Sequence, residues 1–293
     1  MKITGSVKSL NYQKLFLCTG LVGLVLIALR FYQVLSILDP ETGFFTDKND
    51  PTVWLFYILT VVFVLGTLMC FVLAGDRDIG ALPVRRSLPH AAGSIIMAAA
   101  LAREVFAGGF SFAGATKLQL AGAFAAALSV IVFFLDFIVF LTGAAFGAKL
   151  RFVRLIPVLW TFFLTVGYFS ITASYLHSTQ LLLTIFGSAF FMLYLFEYAR
   201  KLADINAGEN TAVFCATGAI AAVLLLAAAL PALALKLSAG AEIAHCPFQA
   251  FQLTAAVFCV TSLCLLRRPA KEQPVPTVPF AEKPSDETDA EQA

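Results

Sequence analysis

The sequence predicts an all-α polytopic transmembrane bundle of about eight helices, and three observations predict it. Hydrophobic residues make up 60% of the 293 and charged residues only 13%, against ~45–50% and about 25% in a soluble domain. The apolar residues come in continuous runs of roughly twenty, the length a helix needs to cross about 30 Å of hydrocarbon at 1.5 Å per residue. The lysines and arginines lie almost entirely between those runs, and on alternate gaps. The mean hydropathy is +0.87. A water-soluble fold with this composition would expose large apolar areas, which a bilayer covers.

Eight runs qualify: 15–37, 52–75, 89–109, 121–145, 155–177, 179–199, 211–235 and 249–266. The first follows Lys2, Lys8 and Lys14 and exceeds the ~7–15 residues of a secretory h-region, with no small-x-small cleavage site after it. It is read as an uncleaved first helix. The third run is the weakest, because Arg103 and Glu104 interrupt it, and the fifth and sixth are separated only by a short turn near His177 and Ser178. Strands are a poor alternative, since barrel strands alternate apolar and polar residues over about ten positions.

Loop charge tests the count. With the N-terminus placed inside and the sides alternated, the outer loops collect only Lys48, Lys117 and Lys236, while every other loop Lys and Arg falls inside. Cytoplasmic loops are enriched in these residues. One helix more or fewer would swap the later loops and erase the bias, so the asymmetry predicts both termini in the cytoplasm. Trp54 and Tyr57 at the outer end of helix 2, and Trp160 near the inner end of helix 5, are expected at interfacial depth. Residues 1–269 form the bundle in this reading. The segment 270–293, with four prolines and then Asp286, Glu287, Asp289 and Glu291, is expected to be a disordered acidic cytoplasmic tail.

The net charge of +2 gives no nucleic-acid footprint. Five cysteines lie in apolar runs and act as small hydrophobes, whereas Cys246 lies in an outer loop. No disulfide, metal site or cofactor is expected, because no Cys-x-x-Cys or His-Cys spacing is present.

Ionisable groups inside hydrocarbon are costly and turn toward protein or water. The candidate polar cluster is Arg30, Gln33, Arg103, Glu104 and Asp136. Along helix 1, Thr19, Gly23, Leu26, Arg30 and Gln33 share a stripe; along helix 4, so do Ala125, Ser129, Val132, Asp136, Gly143 and Gly147. Small and polar stripes pack against other membrane helices. Side chains lean toward the start of their own helix, which points Arg30 and Asp136 toward a shared depth. Pairs of Arg30 with Asp136, Arg103 with Asp136, or Arg30 with Glu104 are all compatible. Such a cluster is either a structural ion pair or a substrate or proton site.

The loop after helix 1 carries Asp39-Pro40-Glu41-Thr42-Gly43-Phe44-Phe45, which is turn chemistry. It is expected to be a structured outer cap in which Asp39, Glu41, Phe44 and Phe45 take part. Its acidic residues lack the spacing of an EF-hand. Together with Arg30-Phe31-Tyr32-Gln33, this segment resembles one in multi-pass membrane proteins of bacteria. The resemblance covers under a tenth of the chain and implies a bacterial plasma-membrane setting, with no activity to carry over.

Three smaller features complete the reading. Glu197 and Lys201 are spaced for an i,i+4 pair. Pro231 is expected to kink helix 7. Gly187-Ser188-Ala189 has the look of an intramembrane nucleophile, but no base lies in reach. No His-Glu-x-x-His, Walker loop or Gly-x-Gly-x-x-Gly occurs. The sequence therefore favours a non-enzymatic membrane component, an assembly partner or sensor-like subunit, whose partners are the lipid bilayer and a protein met through helix faces or the acidic tail. The alternative is a secondary transporter or channel using the charged cluster. A membrane enzyme is disfavoured.

Overall fold

The computed structural model describes residues 12–47, 49–75, 86–107, 116–143, 148–172, 178–203, 211–243 and 249–267. Among these residues eight α-helices follow one another: α1 Tyr12–Ser36, α2 Pro51–Ala74, α3 Leu88–Ala107, α4 Lys117–Thr142, α5 Ile156–Thr172, α6 Thr179–Leu202, α7 Thr211–Ala239 and α8 Ala250–Leu263. A 3-10 helix, Ala148–Leu155, leads into α5, and a 3-10 turn, Cys264–Arg267, ends α8. The chain is an all-α bundle. Among the described residues six of the helices are long and apolar enough to cross a membrane, and α3 and α8 fall short of that mark. Both lie against other helices, α3 between α4 and α8 and α8 between α3 and α7, so their polar residues can face protein rather than lipid. The proposed tail 270–293 and Cys246 lie outside the described residues.

Helix ends follow local chemistry. Asp50 caps α2, its carboxylate accepting from Thr52 N–H at 2.7 Å, and Pro51 fills the first helical position, where its missing N–H costs nothing. Helix α4 starts at Lys117, four residues before the predicted run, because Thr116 and Gln119 form a reciprocal capping box; this polar cap is invisible to an apolar window. It stops at Thr142 because Gly143 turns to φ 76°, a left-handed conformation that favours glycine. Gly143 is therefore a terminator and not part of the α4 stripe, and Gly147 lies outside the described residues.

α7 is the central helix and touches α1, α2, α6 and α8. Its run of alanines and its glycine allow close packing, as at other membrane helix interfaces. A Cβ on Gly218 would sit 2.7 Å from the Tyr194 ring. Between α3, α4, α6 and α8 the interior is filled by rings, with Phe133, Phe140, Tyr194, Tyr198 and Phe258 all buried. The outward faces of α1 and α2 carry exposed Leu21, Leu24, Val25, Ile58, Val61 and Leu65, an apolar surface matched to lipid. Trp54 is exposed, whereas Trp160 is buried with its ring 5.7 Å from that of Phe251. Trp160 is thus a core residue and not an interfacial one; the neighbouring helix, which the sequence does not identify, covers it.

Candidate functional site

The bundle has one end where α1 begins, here the proximal face, and an opposite distal face. Arg30 lies six residues before the end of α1, about 9 Å from its distal terminus. Asp136 lies six residues before the end of α4, about 9 Å from its proximal terminus. Helix α6 connects the two levels, with Gln180 beside Arg30 and Tyr198 beside Asp136. Those α6 residues are eighteen apart, or about 27 Å along the helix. The five residues expected to form one cluster therefore separate into different sites. The true start of α4 pushes Asp136 toward the proximal face, and α1 packs on α2 and α7 while α4 packs on α3 and α5.

At the distal site the Arg30 guanidinium is completely buried. Its Nη1 donates to Gln33 Oε1 and its Nη2 to Gln180 Oε1, each at 3.2 Å. The rings of Phe45 and Phe56 each lie 5.7 Å from the guanidinium carbon, the geometry of a cation–π contact. Gln33 Nε2 donates to the Thr52 carbonyl at 2.8 Å, tying α1 to the first turn of α2. Gln180 Nε2 donates to the Ala228 carbonyl of α7 at 2.7 Å. Pro231 lies inside α7 and lacks the N–H that would serve the Ala227 carbonyl, so the amide side chain meets the helix beside that break. Tyr57 and Thr179 hydrogen-bond at 2.5 Å and join α2 to the start of α6.

The loop folds over this site. Leu38 and Phe45 form an antiparallel bridge, Asp39 N–H donates to the Phe44 carbonyl at 2.9 Å, and Gly43 adopts φ 72°. The Asp39 carboxylate accepts from Glu41 N–H at 3.0 Å and from Thr42 Oγ1 at 2.8 Å. Phe44 and Phe45 are half-buried and Glu41 is exposed. Asp39 thus closes the turn and Phe45 reaches the guanidinium. Among the described residues no group of three His, Cys, Asp or Glu side chains is placed to hold a metal ion.

At the proximal site Asp136 Oδ1 accepts from Arg154 Nε at 3.1 Å, and Oδ2 accepts from Tyr198 Oη at 3.3 Å. Tyr198 Oη is in turn 2.8 Å from His90 Nε2. The Tyr198 hydroxyl has one proton and gives it to Asp136, so the His90 Nε2–H must donate to the Tyr198 oxygen. His90 is completely buried. Its ring centroid is 4.3 Å from that of Phe140 and 5.1 Å from that of Phe258, and its Nδ1 has no hydrogen-bond partner among the described residues. The partner of Asp136 is therefore Arg154, and neither Arg30 nor Arg103. Arg154 was hidden because it lies in the loop segment before helix 5. His90 and Tyr198 were hidden because helix-end residues carry no depth in a sequence window.

Arg103 and Glu104 do not join either site. Arg103 is exposed. Glu104 accepts the Phe251 N–H at 3.0 Å, one of the unpaired first-turn amides of α8, so α3 supplies a cap that α8 lacks from Gln249. On α6, Glu197 pairs with Arg200 at 2.9 Å, not with Lys201 as spacing suggested; Lys201 donates to Thr211 Oγ1 at 2.9 Å and ties α6 to the start of α7. Between the two sites α6 presents Thr184, which accepts from Gln252 at 3.2 Å, and Ser188, which is fully buried with its Oγ unpartnered among the described residues. Tyr194 and Ser262 are hydrogen-bonded further along.

Fold and sites together define an integral membrane helical bundle with two polar centres among the described residues, at Arg30 and at Asp136. No family model matches the chain, and no curated protein or solved structure does either.

Proposed function

We propose that the chain is a non-enzymatic component of a bacterial plasma membrane, a sensor-like subunit or assembly partner, with both termini in the cytoplasm and the proximal face turned toward it. The observation that carries this reading is how the buried charges are held. The chain itself supplies the groups that hold them: Arg154 and Tyr198 for Asp136, and two glutamines and two rings for Arg30. Packed aromatic side chains fill the space around the proximal centre. Sites of this kind lock helices together and respond to what reaches them; a transport path needs charges that exchange partners with a solute. The bias of loop Lys and Arg supports the orientation. The acidic segment 270–293 and the helix faces are the surfaces through which a protein partner would be met.

Purified chain reconstituted in liposomes tests the choice against the transporter or channel. Liposomes carrying it should hold an imposed proton or potassium gradient as long as protein-free liposomes do. A gradient that collapses in proportion to the protein added overturns the component reading and favours transport.

A further inference from the structure

We propose that His90, Tyr198 and Asp136 form a proton-binding relay that takes up one proton at His90 Nδ1, stores it on Asp136 and so neutralises the carboxylate that holds Arg154. This deepens the sensor-like reading and rests on it, since it names the proton as the input.

The hydrogen bonds of the proximal site share one direction. Arg154 Nε and Tyr198 Oη both donate to Asp136, and His90 Nε2–H must then donate to Tyr198 at 2.8 Å. The chain of donors runs one way, from imidazole to phenol to carboxylate. It leaves His90 Nδ1 as a bare acceptor, fully buried and without a partner among the described residues. Leaving a buried acceptor without a hydrogen bond is costly, and buried polar atoms are paired in the great majority of cases. A group kept in that condition at the open end of a directed chain has a use for its lone pair.

The transfer balances. A proton from the aqueous phase bonds to Nδ1. The Nε2 proton passes to the Tyr198 oxygen, and the Tyr198 proton passes to Asp136 Oδ2. Imidazole and phenol end neutral, the imidazole as its other tautomer, and the carboxylate becomes a carboxylic acid. No imidazolium or phenolate has to persist in the apolar interior, where an isolated charge is expensive. The net gain of one positive charge falls on Arg154, which cannot lose its own proton. Its side chain is 10% exposed, so the long stem can carry the guanidinium toward water. The proton uptake is thereby linked to the anchorage of the 3-10 helix on α4.

The surroundings fit this direction of entry. His90 is the third residue of α3, about 3 Å along the axis from the helix start, and the preceding Arg86 and Leu88 are exposed. From α4 the groups facing the relay are Asp136 and the Phe140 ring; from the 3-10 helix, Arg154; from α6, Tyr198 with Tyr194 stacked beside it; and from α8, the Phe258 ring with Cys259 next in sequence. The other charged side chains near that end of α6 are already engaged, Glu197 with Arg200 and Lys201 with Thr211.

The full chain in lipid nanodiscs, labelled with nitrogen-15 histidine, tests the relay. Two readouts are followed from neutral to mildly acidic pH: the protonated-carboxyl C=O stretch by infrared difference spectroscopy, assigned with Asp136→Asn, and the His90 nitrogen shifts by NMR, assigned with His90→Gln. The expected result is a carboxylic-acid band that appears with one midpoint together with a switch of His90 from the Nε2–H to the Nδ1–H tautomer. In Tyr198→Phe the two changes should no longer coincide. A carboxyl band without a tautomer switch, a doubly protonated His90, or no change in either signal overturns the proposal. A chain that passes these tests yet collapses the liposome gradient overturns the component reading alone. A chain that holds the gradient while His90 keeps one tautomer overturns the relay alone.

Discussion

Replacing Asp136 with alanine is expected to cost about 3–5 kcal/mol of stability, the range for breaking a buried ion pair from one side. The loss arises because Arg154 gives up its anchorage on α4 to carry its charge toward water, and Tyr198 loses the acceptor of its only proton. The reverse change, Arg154→Met, is expected to cost less. Asp136 can then neutralise itself by taking a proton and still hydrogen-bond to Tyr198, a route closed to arginine. Combining Asp136→Leu with Arg154→Met should recover most of the loss, since hydrophobic replacement of a buried pair is often neutral. Unfolding in mixed detergent micelles, compared across the single and double variants, measures this coupling. Equal losses for the two single variants would argue that the pair is not held in a dry interior.

Gln180→Leu is the second large effect expected, at roughly 3 kcal/mol, because hydrogen bonds to charged groups contribute about 1.5–3 kcal/mol and a second bond is lost with it. One amide accepts from Arg30 of α1 and donates to Ala228 of α7, so a single side chain fastens three helices near Pro231. Gln180→Glu separates the two halves of that role. A carboxylate keeps the acceptor for Arg30 and removes the donor to Ala228, so it should retain more stability than leucine. The same unfolding assay decides it, and a leucine variant as stable as the parent would show that Arg30 is satisfied without Gln180.

Much of the architecture was legible in the sequence because bilayer thickness imposes a length on apolar runs. All eight predicted runs overlap a helix, and α6, predicted to begin at Thr179, begins there. The failures have a common cause. Polar helix ends lie outside an apolar window, which hid the Thr116–Gln119 box and hence the depth of Asp136. Depth alone also cannot say which helices are neighbours, and so three pairings for Arg30 and Asp136 stayed open although none forms. Arg154 reads in the sequence as one more cytoplasmic loop cation, and only the 3-10 helix that carries it against α4 makes it a partner. Gln180 is an uncharged residue next to a helix start, and nothing in its spacing marks it as the acceptor for a guanidinium 150 residues away. Tyr198 and His90 likewise become informative only when α3 and α6 are brought together.

The most direct test of a closed, dry bundle is the accessibility of Ser188, in the middle of α6 between the two polar centres. Serine and cysteine are close in size, and Ser188 Oγ has no hydrogen-bond partner to lose. Ser188→Cys in a background lacking the six native cysteines would be exposed to a small water-soluble thiol reagent in intact membranes. In an enclosed bundle no labelling is expected until the protein is denatured, when the thiol should react fully. Rapid labelling of the folded protein would mean that water reaches the centre of the bundle, and would contradict the reading of the two polar centres as enclosed sites.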